Sequence, residues 1–401
     1  MSFAYRPATE EVTRPLLDTE GQTKVYKLPA RNVISKKTQQ SSLPVDHGFM
    51  PSLHLFLTTL MCLFGGIFTD RGYLQSLIAV GTALQVLGLL ATSFSTQYWK
   101  LFWAQGVCVG IGSAILGLLP VAVIAMYFKE TRMLPTGIAA TGSSFAGVVV
   151  PITLRYLFSV IGFGWSVRVL ALVNLVTTAF PWTAMRLQSE GNDGNVKLTF
   201  SYFKDPAYSM FCVAFALTMA ATFTPFFYIQ EYVLDLGLTN SMAFGLLAIM
   251  NGANLFGRFV PNGLADRYGG INILLPLCTA CIVLLVTLPL IHTPPTLITF
   301  SILYRFASGG VMILPAPIIA NMSPNAAEMG VRMGLAYLCA AFGGLVGNPL
   351  SGAVKYEGDV GVVREFRGVW WMAAGIMTMG VAAMVLARRF WVGSLFGVGK
   401  V

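Results

Sequence analysis

The sequence predicts an all-α polytopic membrane protein whose helices form two bundles behind a polar N-terminal tail. Three observations carry that expectation. Only 11% of the 401 residues are charged and 55% are hydrophobic, where soluble domains carry roughly 25% charged residues. The mean hydropathy is +0.70. The charge is also uneven: residues 1–50 hold seven Lys/Arg and five acids, leaving 31 charged residues for the other 351 positions. So few cannot clothe a water-facing surface, which excludes a soluble enzyme, a coiled coil and a nucleic-acid-binding domain. The formal charge of +9 is not gathered on one element, as a nucleic-acid footprint would be.

Residues 1–50 are rich in Thr, Gln, Ser and charge, the composition of a disordered tail. They contain no apolar h-region, so no cleavable signal peptide is expected. Measured against the ~20 apolar residues that a spanning helix needs, the rest divides into spans near 51–69, 73–95, 100–127, 134–158 and 165–185. After a polar interval, further spans follow near 206–230, 241–264, 271–291, 295–320, 330–354 and 367–388. The expected organisation is a tail (1–50), an N-terminal bundle (51–187), a linker (188–205), a C-terminal bundle (206–391) and a short tail (392–401).

Eleven basic residues fall in loops on one side: Arg71, Lys129, Arg132, Arg186, Lys197, Lys204, Arg267, Arg332, Arg388, Arg389 and Lys400. By the positive-inside rule that side is cytoplasmic, and so is the C-terminus. Eleven spans ending inside would leave the basic tail outside. Either the tail is translocated or the N-terminal half lacks a first span, and the recurrence of motifs in the two halves favours the second. The six cysteines all lie in apolar stretches, and Cys278-x-x-Cys281 has no further metal ligand near it, so they read as buried helix residues.

Two short turns recur at matching places, Gly66-Ile67-Phe68-Thr69-Asp70-Arg71-Gly72 and Gly263-Leu264-Ala265-Asp266-Arg267-Tyr268-Gly269. A carboxylate in such a turn, Asp70 or Asp266, can cap the positive end of a neighbouring helix. The turns resemble the loop motif of the major facilitator superfamily, whose two six-helix halves form a parallel repeat. The resemblance implies 6 + 6 spans where 5 + 6 stand here, and a loop-motif or gating role for Asp70, Arg71, Asp266 and Arg267. A finer resemblance is to the fungal branch of the monocarboxylate transporter family. It rests on Tyr127-Phe128-Lys129-Glu130-Thr131-Arg132 followed by Gly137 to Ser144 and Gly147, and on Phe203-Lys204-Asp205-Pro206. Phe223-Thr224-Pro225-Phe226-Phe227, Gly330-Val331-Arg332-Met333-Gly334 and Gly343 to Gly352 carry it further. That family's first-helix signature is absent, with Asp46-His47-Gly48-Phe49 as a stub.

Ionisable residues within spans are functional by default, because burying charge in lipid is costly. Arg258 and Arg305 lie mid-span, whereas Arg155 and Arg168 lie nearer span ends, where long side chains snorkel. A guanidinium matches a carboxylate two-pronged. In the resembled family an Asp precedes an Arg by four residues in this helix, and the Arg is associated with the substrate carboxylate; here the pair is Asn254 and Arg258. Arg258 is thus the foremost substrate contact, with helix packing as the other open reading, and Asn254 and Arg305 stand beside it. Phe226 and Tyr228, flanking a kink at Pro225, and Asn348 before Pro349 complete the candidate set; the aromatics fit an interfacial belt equally well. Small residues four apart, Gly106 with Gly110 and Gly343 with Gly347, suit close helix packing.

These expectations converge on a plasma-membrane transporter of small organic anions, monocarboxylate-like, working by alternating access in the lipid bilayer. Secondary-metabolite efflux is the alternative, and a transport-dead sensor or interaction partner is a third. No nucleic acid, metal or cofactor is expected, and proton coupling stays open because Glu130, Glu231, Asp235 and Glu328 lie at span ends. There is no Walker A loop, and His47, His54 and His292 are scattered.

Overall fold

The computed structural model describes residues 13–17, 23–27, 56, 58–60, 68, 73–95, 97–128, 131–184, 199–323, 326–355 and 362–393. Met1–His47 is a unit of its own. Within it β1 (Thr13–Leu17) and β2 (Thr23–Lys27) pair antiparallel, Thr13 opposite Lys27 and Leu17 opposite Thr23. Where disorder was expected, the described residues form a hairpin: Thr13, Thr23, Val25 and Tyr26 are strand-favouring types. A lone two-stranded hairpin is marginal in water.

The second unit, Gly48–Val401, holds the helices. The expected span 51–69 lies mostly outside the described residues; residues 56, 58–60 and 68 are helical. Then come α1 (Leu74–Ser93) and α2 (Tyr98–Leu101), which runs through a π-helical stretch (Phe102–Val109) into α3 (Gly110–Tyr127). The next helix, α4 (Met133–Ala184), has 52 residues. A straight helix of that length would reach ~78 Å, over twice the ~30 Å hydrocarbon core. It breaks at Gly162, φ 75° and ψ 172°, a conformation that glycine alone adopts without strain. Its arms are the two expected spans. The second arm packs back on α1: Arg168 Nε donates to Ser93 Oγ (3.3 Å), and Asn174 Nδ2 to Gln85 Oε1 (2.8 Å). Gln85 Nε2 in turn donates to Ser113 Oγ on α3 (2.8 Å).

In the C-terminal half a 3-10 turn (Phe200–Lys204) leads to Asp205, whose carboxylate caps α5 (Pro206–Thr222) by accepting from Ala207 N at 3.1 Å. The span continues as α6 (Thr224–Asp235) after a break at Phe223, where Pro225 has no N–H to offer the ladder. Next are α7 (Asn240–Tyr268), α8 (Gly270–Thr287) and α9 (Pro294–Ile313). Pro315 opens α10 (Pro315–Met322) within the same span as α9. Two long helices close the chain, α11 (Ala326–Val354) and α12 (Val362–Val392). Among the described residues nine helices are long and apolar enough to cross a membrane, α4 counting once.

The aromatic core sits in the C-terminal bundle, where Tyr208, Phe211, Phe215, Tyr232, Tyr304, Phe366 and Trp370 are all fully buried. Cys278 and Cys281 pack there too. Gly343 and Gly347 set the spacing of α11 against α5, since a Cβ at either would run into the carbonyl of Ala216 or Ala220. The parallel reading of Gly106 is corrected. A Cβ there meets nothing within 4 Å.

Candidate functional site

The two halves meet where α4 packs on α7, and the contact is polar. Along α7 an apolar helix carries Asn251, Asn254, Arg258, Asn262 and Asp266, three or four residues apart and so on one face. Opposite them, α4 presents small residues whose carbonyls and hydroxyls accept hydrogen bonds. Asn251 Nδ2 donates to Gly147 O (3.2 Å), and Asn254 Nδ2 to Ser144 Oγ (3.0 Å). The Arg258 guanidinium donates to Ala140 O (2.6 Å) and to Ser143 Oγ. Asn262 Nδ2 holds the Arg258 carbonyl (2.6 Å). Gly137 is needed for this approach, because a Cβ there would lie 2.5 Å from Arg258 O. At the end of the seam Asp266 caps α4, accepting from Met133 N (3.1 Å) and Leu134 N (2.8 Å). The helix capped is thus in the opposite half. Arg267 is exposed and makes no part of this cap, while Asp70 and Arg71 lie outside the described residues.

Arg258 is 8% exposed and Asn254 1%, and the Arg258 Nε and the Asn254 and Asn262 side-chain oxygens have no partner among the described residues. A second buried cation, Arg305, stands on α9, which packs against α7 at Gly257 and Phe306. No ion pair joins either arginine to a carboxylate among the described residues; Asp205 and Glu328 face Arg332 (both 3.8 Å), and Glu231 faces Lys355 (2.7 Å).

The break between α5 and α6 gathers the remaining candidates. Its loose carbonyl at Thr222 accepts from Tyr304 OH (3.0 Å), and Thr224 Oγ1 meets Ser351 Oγ (3.2 Å). The Arg305 guanidinium lies over the Phe226 ring (4.8 Å) with Met312 Sδ at 4.0 Å, and its Nε is unpartnered. Tyr228 OH donates to Asn348 O (3.1 Å), yet both polar atoms of the buried Asn348 amide have no partner among the described residues. Phe226 and Tyr228 stand about 200° apart around α6. The candidates therefore form two pairs on different flanks of α6, Phe226 with Arg305 on α9 and Tyr228 with Asn348 on α11.

Of the loop charges assigned to one side, Arg71, Lys129, Arg186, Lys197 and Lys400 lie outside the described residues. Arg132 reaches across to Ala320 O (3.3 Å) on α10. Arg332, expected as a loop charge, is 8% exposed. It donates to Met322 O (3.3 Å) and lies over the rings of Tyr202 (4.9 Å) and Tyr208 (5.4 Å). Burial, and then the Glu328 charge, push the Tyr202 phenol above its ordinary pKa against the pull of Arg332. Arg388, another loop charge, is also buried, its Nε donating to Asn272 Oδ1 (2.9 Å). Sequence reasoning overlooked Asn251 and Asn262, although their spacing in an apolar helix was the signal. At the opposite end of the seam Arg155 lies over Phe244 (5.2 Å), in a groove of ≈ 680 Å³ lined also by Pro151, Leu154 and Phe158.

Spanning helices that meet along a polar seam around the buried Arg258, with no carboxylate paired to it among the described residues, are the architecture of a multi-pass membrane transporter. The chain belongs to the Major Facilitator Superfamily, whose family model matches residues 40–304. It is 33% identical to the MFS-type transporter dbaD of Emericella nidulans over 77% of this chain and 70% of that one. It is 31% identical to the agnestins efflux protein AgnL12 of Paecilomyces divaricatus, over 86% of this chain and 78% of that one. Its fold matches the human organic anion transporter MFSD10 (TETRAN) with a TM-score of 0.69 at 13% identity, covering 84% of this chain and 83% of that one.

Proposed function

We propose that the protein exports small carboxylated metabolites across the plasma membrane by alternating access between its bundles, with the 186–205 loop and the C-terminus cytoplasmic. The observation that carries this reading is Arg258, a buried cation placed on the seam between the halves with no carboxylate partner among the described residues. Its partners, a carbonyl and a hydroxyl, are neutral acceptors, and a carboxylate is the stronger one. A substrate anion at Arg258 competes with Ala140 and Ser143 for the guanidinium and loosens the seam. Binding is thereby coupled to the rocking of one half on the other. Asp266, which ties α7 to the start of α4, holds the cytoplasmic end shut in this state.

The efflux named for the agnestins relative supports the direction of transport. The resemblance to monocarboxylate transporters supports a carboxylate substrate, with Asn254 replacing that family's Asp. The reading asks for no cofactor. With the acids Glu231, Asp235, Asp266 and Glu328 at helix ends, the membrane potential suits anion export, at about 2.3 kcal/mol per charge per 100 mV. The test is counterflow of labelled benzoate into proteoliposomes. The intact chain should exchange benzoate faster than protein-free liposomes, and Arg258→Ala should slow it by about tenfold or more, the loss of charge-assisted hydrogen bonds. Arg258→Lys should rescue poorly, lacking the planar fork. Exchange by Arg258→Ala at the parent rate would overturn the reading.

A further inference from the structure

The second buried arginine is not needed to bind one carboxylate. Arg305 is 4% exposed and, among the described residues, has an unpartnered Nε and is supported by an aromatic face and a thioether instead of a counter-charge. Its helix α9 lies tight on α7 beside Arg258, a Cβ at Gly257 running into the Phe306 carbonyl and one at Gly309 into Asn254. Two like charges in an apolar interior repel, and a single anion leaves one of them uncompensated. Phe226, beneath the guanidinium, is only half-buried and continues into Phe227 (5.8 Å between centroids) and, through it, Phe223 (6.1 Å). A flat ring can thus lie against the same aromatic wall that carries the charge.

We propose that Arg305 and Phe226 form a second anion subsite, which selects substrates bearing two acidic groups on an aromatic frame. One acid goes to Arg258, the other to Arg305, and the ring packs beside Phe226. This deepens the exporter reading and rests on it. Phe226 stands in the first turn of α6, directly after the break, and Arg305 reaches it from α9.

The test is binding to the purified full chain, read as a ligand-dependent rise in thermal midpoint, with phthalate, benzoate and succinate as probes. Phthalate should bind about tenfold more tightly than either of the others, one charge contact or one ring contact separating it from each. Arg305→Gln should bring phthalate down to the level of benzoate while leaving benzoate within about twofold, and Arg305→Lys should keep part of the preference. Phe226→Leu should erase the advantage of phthalate over succinate. Equal binding of phthalate and benzoate by the intact chain, or an equal loss of all three probes in Arg305→Gln, would overturn the subsite. Benzoate binding that depends on Arg258 without diacid preference would sink this proposal and leave the exporter reading standing. Failure of all three probes to bind the intact chain would sink both.

Discussion

The two halves divide the labour unequally. The C-terminal bundle supplies the charge, Arg258 and Arg305, and buries 61% of the apolar window of the spans built on α9 and α11. The N-terminal bundle supplies acceptors, the carbonyls of Ala140 and Gly147 and the hydroxyls of Ser143 and Ser144. The most apolar stretch of its α1 is 28% buried, α4 buries only a few residues such as Gly137, Ser144 and Val167, and Phe145, Tyr156, Leu172 and Phe180 stand exposed. A cation lodged in lipid needs a rigid shell that holds it in place. The acceptors need only a smooth helix face that can slide away. The contrast teaches that the site is built into the half with the dense core, and is completed by a half that can part from it.

The largest effect should come from damaging the shell. Gly347→Val forces a side chain onto the Ala220 carbonyl, where α11 and α5 touch. Overpacking of this kind costs about 1–3 kcal/mol or more, and the thermal midpoint of the purified chain should fall by several degrees. Gly106→Ala, in the N-terminal half, meets open space and should leave the midpoint unchanged. Equal losses from the two would erase the contrast between the halves.

A smaller effect is expected where the halves are tied. Asp266→Asn keeps a cap oxygen but removes the charge facing the N-terminus of α4. The change should cost about 0.3–1 kcal/mol. In a conformational assay it should read as easier opening of this end of the seam, with hydrogen exchange at Met133 and Leu134 faster than in the parent. Unchanged exchange would mean that the cap does not hold the seam.

Much of this was legible in the sequence because lipid imposes a simple ruler. Every expected span whose residues are described is a helix, and the kink at Pro225 lies within two residues of the observed break at Phe223. The capping role foreseen for the Asp-Arg turns is visible at Asp266. Partners were harder to read. Whether Arg258 faces a substrate or a helix depends on which span lies opposite, and hydropathy says nothing of that. Arg332 and Arg388 counted as loop charges because they sit at span ends, yet aromatic faces in one case and an amide in the other draw them inward. Phe226, Tyr228, Arg305 and Asn348 shared one list but divide between two flanks of α6, a matter of helical phase across a break.

The central claim is that a carboxylate competes for Arg258 and so parts the seam. Hydrogen exchange of the reconstituted chain, with and without saturating benzoate, tests it most directly. The account predicts faster exchange along residues 133–147 of α4 when benzoate is present, with the packed interior of α5 and α11 unchanged. Exchange along 133–147 that stays the same, or slows, would show that the anion does not compete with Ala140 and Ser143 and would contradict the account.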